Sequence, residues 1–152
     1  MCGVLHAREV KTISNVLARK RSVSVLEFYK NAQELRSALT RFVMSEKHVP
    51  KRYRFVFAMP TIELLNALFN NITMANTIYP INEHELQMRR DYQTKAIGNC
   101  EQILQMLQYM LETLPINADK LSPIVEMIEK ETALLKAWRK SNKLPVQKTA
   151  DK

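Results

Sequence analysis

Four stretches of this sequence repeat apolar residues with the alternating three- and four-residue step of a buried helical stripe, and that periodicity leaves few folds open. The first runs from about Val25 to Lys47, with Phe28, Ala32, Leu35, Leu39 and Phe42 in register. Ser24 followed by Glu27 reads as a capping box, in which each side chain satisfies a backbone N–H of the first turn. Lys47-His48-Val49-Pro50 ends the stretch, because the residue before a proline disfavours the α region. The second runs from about Lys51 to Ile78. Ile62, Leu65, Phe69, Ile72, Ala75 and Tyr79 form its stripe, flanked by Leu64 and Leu68. Pro60 interrupts it. An interior proline loses one hydrogen bond and costs about 3 kcal/mol, so a kink between Val56 and Pro60, or a short helix and a restart, is expected.

Tyr79-Pro80-Ile81 makes the next corner, and Asn82 with Glu85 is a second capping box. The third stretch continues to about Leu114, roughly 50 Å at the helical rise. Leu86, Ala96, Cys100, Ile103, Leu107, Leu111 and Leu114 are its core side, and Pro115 stops it. The fourth starts at Asn117, or at Ser122 with Pro123 in the first helical position. Its stripe is Leu121, Val125, Ile128, Leu135 and Trp138, fading after Ser141.

Glycine supports the same reading. Only Gly3 and Gly98 occur in 152 residues, and tight hairpins and phosphate-cradling loops both depend on residues that accept positive φ. The expected fold is all-α, an antiparallel up-down-up-down four-helix bundle over residues 22–142. A basic N-terminal extension, residues 1–21, precedes it, either disordered or helical around Val10 to Leu17. A basic flexible tail, residues 143–152, follows.

Several chemistries find no residues to carry them. Cys2 and Cys100 share no short spacing, which fits a reducing, cytoplasmic setting and no disulfide framework. Cys100 falls on the apolar stripe of the third helix and reads as a buried structural thiol. Paired Glu-x-x-His motifs would mark a di-metal bundle, but Gly3, Ser45 and Ile81 stand three residues before His6, His48 and His84. His48 and His84 sit at predicted corners and are expected in solvent. No Walker loop or dinucleotide fingerprint is present, and no cofactor is implied. The eight methionines read as core filler, and Trp138 as a core or interface anchor. Asn71-Ile72-Thr73 matches a glycosylation pattern but lies within a helical stretch. No uninterrupted apolar run approaches the roughly 18 residues of a membrane span. The N-terminus lacks a secretory h-region, and Glu9 breaks the acid-free pattern of a transit peptide.

Charge is the strongest functional signal. The formal net charge is +8, and residues 1–54 hold 12 Lys and Arg against 4 Glu, while the remainder is neutral. In an up-down bundle, the starts of the first and third helices share an end with the close of the fourth. That end gathers Arg19-Lys20-Arg21, Arg89, Arg90, Lys95, Arg139, Lys140 and Lys143. Lys47, Lys51, Arg52 and Arg54 mark the opposite end. Cations at helix C-termini are ordinary, but Arg52, Arg54, Arg89 and Arg90 stand at N-terminal turns. Two basic clusters on a small domain suit a polyanion such as RNA or DNA. Apolar Phe55, Phe57 and Leu68, beside the second stripe, suggest a surface buried by self-association.

From Ser22 to Ser141 the sequence resembles the accessory variability determinant family of diversity-generating retroelements. These four-helix-bundle proteins are related to the intervening-sequence proteins of bacterial ribosomal RNA genes. Pro50-Lys51 and Arg54 stand where that family opens its second helix, and Ala75-Asn76 near that helix's end. Arg90-x-Tyr92 and Ala96 precede a Leu-rich third helix. Leu134-Leu135 and Trp138-Arg139-Lys140 resemble the closing apolar-Trp-basic turn. Met59-Pro60 and the N-terminal extension depart from the pattern. The resemblance implies a non-enzymatic bacterial or phage protein that assembles as a homopentamer. It would bind the element's reverse transcriptase and contact RNA and DNA during mutagenic copying. An intervening-sequence-type protein with no reverse-transcriptase partner is the alternative. A small enzyme with its site in the bundle core is a third reading, and it requires buried polar residues that the predicted stripes almost lack.

Overall fold

The computed structural model describes residues 26–145, and every regular element among them is helical. Helix α1 spans Glu27–Met44. A 3-10 turn, Lys51–Tyr53, and a π-helical turn, Arg54–Ala58, lead into α2, Met59–Thr77. Helices α3, Glu83–Thr113, and α4, Ala118–Lys140, complete the set. The expected features at residues 1–25 and 146–152, including Ser24 and Arg19-Lys20-Arg21, lie outside the described residues.

The caps explain most boundaries. Asn82 Oδ1 accepts the Glu85 amide at 2.9 Å, and Glu85 Oε2 accepts the Ile81 amide at 2.9 Å, so the second capping box forms with its return arm one residue early. Asn117 caps α4 by accepting the Asp119 amide at 2.9 Å. Asn117 is therefore the start, and Pro123 lies inside the helix, not at its first position. Helix α1 is shorter than expected at both ends. Leu26 takes the N-cap position with no side-chain cap of its own, and Glu27 meets Lys130 of α4 at 3.0 Å. At the other end Ser45 turns extended, and its carbonyl accepts the His48 and Val49 amides at 3.1 and 2.9 Å. His48 is half-buried and stacks on Phe42, centroids 4.1 Å apart. The corner seats it there, so the expectation of a solvated side chain fails.

Pro60 neither stops nor restarts the second helical path, which runs unbroken from Lys51 to Thr77. The Met59 amide bonds to the Arg54 carbonyl, five residues back. This wider turn eases the clash between a proline ring and the carbonyl four residues earlier. Thr61 Oγ1 then donates to the Phe57 carbonyl at 2.6 Å, which satisfies a hydroxyl at a buried position. Pro60→Ala is expected to restore one backbone hydrogen bond and raise unfolding free energy by about 1 kcal/mol. Urea denaturation reads the change, and a loss of stability would show that the wide turn depends on the proline ring.

Helix α1 packs on α2 and α4, and α3 packs on the same two helices. The α1 stripe is buried as expected. In α2 Leu65, Ile72 and Ala75 are buried as expected, while Thr61 and Leu68 are buried in the places expected of Ile62 and Phe69. Apolar residues at 62, 64, 65, 68, 69 and 72 allow two stripes, and packing selects the one that continues from buried Phe57. Ile62 and Phe69 are half-buried, and Tyr79 is exposed. In α4, Ile124 is buried where Val125 was expected. Met110 similarly lies deeper than Leu111 in α3. Among the described residues four polar side chains are buried: Asn31, Thr61, Gln93 and Glu131. An 18-residue window within Lys51–Thr77 reaches the length and apolarity of a membrane span, mean hydropathy 1.2, although no uninterrupted apolar run announces it. Its inner face is part of the core just described.

Candidate nucleic-acid interface

The start of α3 and the close of α4 meet through polar side chains. Asn142 Nδ2 donates to Gln93 Oε1 at 2.6 Å, and Arg139 Nη1 donates to Thr94 Oγ1 at 3.0 Å. Gln93 is buried, so the pairing with Asn142 satisfies its amide and fixes where the chain leaves α4. These contacts bring Arg90 and Lys95 to the same end as Arg139, Lys140 and Lys143. None of these five cations is ion-paired among the described residues. Lys95, Lys140 and Lys143 are exposed, and Arg90 and Arg139 half-buried. Lys95 Nζ lies 5.2 Å from the Tyr92 ring centre.

Arg89 has a different setting. Its guanidinium lies over the Trp138 indole, 5.3 Å from the ring centre, and Phe28 stacks on the same indole at 4.1 Å. Burial lowers the Arg89 pKa, while Tyr79 nearby raises it, and its Nε has no hydrogen-bond partner. Arg89 thus joins α3 to the Trp138 anchor through a cation–π contact. Sequence alone ranked it with Arg90 by charge, although Leu86 and Ala96 put Arg89, and not Arg90, beside the buried stripe.

Lys51, Arg52 and Arg54 form a separate cluster. Lys51 and Arg52 are exposed, and the Arg52 guanidinium lies 4.8 Å from the Tyr53 ring centre. Arg54 is half-buried and pairs with Glu46 at 3.2 Å. Phe57, in the adjoining turn, meets Tyr109 of α3 at 4.9 Å, whereas the other cluster meets α3 at Thr94. Fifteen helical residues separate these points, about 22 Å. The two clusters therefore remain distinct.

A polar group in the core escaped the sequence reading. Asn31 Nδ2 donates to Glu131 Oε2 at 2.7 Å and to the Met127 carbonyl at 3.0 Å. Glu131 Oε1 has no partner. Burial pushes the Glu131 carboxyl up to about 7, against the opposing pull of Asn31 and Lys130. Cys100 adjoins this group, and burial pushes its thiol up to about 12, with Thr132 pulling it down and Glu131 adding to the rise. A thiol with that pKa stays neutral and is a poor nucleophile. The expectation that the stripes contain almost no buried polar residues is corrected here. Its signal was the seven-residue gap between Ile128 and Leu135, which Glu131 fills. Two open surface depressions share Gln33, Ser37 and Arg41 in their lining, and neither includes Cys100 or Glu131. Among the described residues no group of three His, Cys, Asp or Glu side chains is placed to hold a metal.

Comparison with protein-family models, curated proteins and solved structures gives no match for this chain.

Proposed function

We propose that this chain is a non-enzymatic, cytoplasmic accessory protein of a diversity-generating retroelement. It holds the reverse transcriptase together with template RNA and cDNA. The observation that carries the nucleic-acid part is the single basic end, where Arg90, Lys95, Arg139, Lys140 and Lys143 converge without acidic partners. Such a surface attracts phosphates with little sequence preference. The reverse-transcriptase part rests on the resemblance set out above. The helix order belongs to the same reading, an antiparallel up-down-up-down bundle. Tyr29 meets Thr73 and Arg36 meets Asn66, both at 2.7 Å, so contacts descend α2 as they climb α1. Phe57 with Tyr109 and Asn71 with Asn99 repeat the pattern between the second path and α3.

Self-association is part of the proposal, but its motive narrows. Phe57 and Leu68 are buried within one chain, Phe55 stays exposed, and the outer face of α1 is polar. At the corner before α3 and in its second turn, Tyr79, Ile81 and Met88 are exposed, and that apolar surface supports contacts between copies. Multi-angle light scattering is expected to give about 88 kDa, five copies of a 17.7 kDa chain. A single-chain mass at micromolar concentration would remove the oligomer from the proposal.

The reading is tested by gel filtration of the protein with a diversity-generating reverse transcriptase and its template RNA. A ternary complex is expected. RNA binding with no capture of the enzyme would favour the intervening-sequence alternative, and binding of neither would overturn both.

A further inference from the structure

We infer that the turn ahead of α2 is a docking surface for single-stranded nucleic acid, with Phe55 as the platform on which a base stacks. The inference rests on the nucleic-acid reading but concerns the other basic cluster. The π-helical turn sets its geometry. With the Met59 amide bonded to Arg54, Phe57 and Ala58 face the core, while Phe55, Val56 and Met59 face outward. Phe55 is 85% exposed, more than any other large apolar side chain described. A free phenyl ring in water is costly unless something covers it.

The surroundings say what covers it. Lys51 and Arg52 stand four and three residues before Phe55 in the same continuous run of 3-10 and π-helical turns, so the ring and both cations belong to one short segment ahead of α2. Both are exposed and neither is ion-paired among the described residues. Glu46, the acidic residue nearest in sequence, is already taken by Arg54. Arg52 lies over the Tyr53 ring, which presents a second flat cationic face. An open aromatic ring beside two unpaired cations matches how sequence-tolerant single-strand binders work. Cations track the backbone, and rings take unstacked bases. A duplex hides its base faces, so it can use the cations but not the ring. Val56 and Met59 extend the apolar surface on which a second base can rest.

The test is fluorescence anisotropy with a labelled mixed-sequence RNA of about 20 nucleotides, long enough for a typical single-strand site, and with its duplex. Wild type, Phe55→Ala, Phe55→Leu, Phe55→Trp and Lys51→Ala/Arg52→Ala are compared. Phe55→Ala is expected to weaken single-strand binding roughly 5- to 100-fold, the range for loss of one stacked base, and to leave duplex binding nearly unchanged. Phe55→Leu should behave like alanine, and Phe55→Trp like wild type. The double lysine–arginine variant should weaken both ligands and flatten their salt dependence. Thermal unfolding should be unmoved by Phe55→Ala, since the ring is outside the core. If Phe55→Leu binds as wild type does, or Phe55→Ala loses both ligands equally, stacking is refuted. A lower mass for Phe55→Ala would assign this face to contacts between copies and overturn the inference. Binding of duplex and single strand with no Phe55 effect refutes this site alone, whereas no binding by wild type refutes the wider reading with it.

Discussion

Glu131→Gln is expected to make the bundle more stable at high pH, and by an amount that grows between about pH 4.5 and about pH 7. Glu131 is fully buried, and its carboxyl is raised from 4.5 to about 7, first by burial. The folded state therefore holds a proton that the unfolded chain releases. Stability from this group is fully present below the unfolded value and is lost as pH rises through the folded one. A shift of this size corresponds to roughly 3 kcal/mol, using about 1.4 kcal/mol per pKa unit. Glutamine keeps an oxygen for Asn31 and cannot ionise, so the difference between wild type and variant isolates the group from other carboxylates. Denaturation at a series of pH values should show the two curves meeting near pH 4.5 and parting above it. Asn31→Ala, which removes the donor that favours the carboxylate, should move the midpoint upward. Curves that stay parallel across the whole range would mean that Glu131 is hydrated in solution, and that the core is looser than the structure.

The same residue shows where sequence reading reaches its limit. The helices were legible because apolar residues recur at a period that no strand shares, and because Asn82, Glu85, Asn117 and the prolines punctuate them. The α1 stripe is legible for the same reason, with one apolar phase available. Helix α2 is legible only at Leu65, Ile72 and Ala75, because its apolar residues are dense enough for two phases elsewhere, and packing that continues from Phe57 decides between them. The π-helical turn has no composition of its own, and Pro60 indicates only that some adjustment is needed. Glu131 and Asn31 are hidden by a general rule that polar side chains face water, which holds until two of them find each other across α1 and α4. In the basic cluster, composition gives the charges and the bundle order gives their end. Only side-chain packing separates Arg89, committed to Trp138, from Arg90, Lys95, Arg139 and Lys140.

That separation decides which variant tests the basic end. Arg90, Lys95, Arg139 and Lys140 changed together to alanine are expected to weaken RNA binding by about 100-fold or more at moderate salt. Arg89 is left in place, because removing it would uncover Trp138 and confuse lost binding with lost stability. Each phosphate contact contributes roughly 0.7 to 0.9 to the slope of log affinity against log salt. Four lost contacts should therefore lower that slope by about 3, and the loss should be similar for unrelated RNA sequences. The competing account gives all binding to the termini, through Arg19-Lys20-Arg21 at one end and Lys148 and Lys152 at the other. A second variant lacking residues 1–21 and 146–152 separates the two in filter binding across a salt series. The helix-end site predicts that the truncated protein keeps most of its slope and the alanine variant loses it. The reverse result would remove the site, leaving the bundle as a support for cationic tails. If neither variant matters, binding moves to Lys51 and Arg52, about 22 Å along α3, where the Phe55 variants already provide the measurement. Arg139 gives an internal control, since its bond to Thr94 joins α3 to α4. Thr94→Val breaks that bond without removing charge. It should free the Arg139 guanidinium, leave the salt slope intact and change affinity by less than a few-fold, the scale of one exposed hydrogen bond.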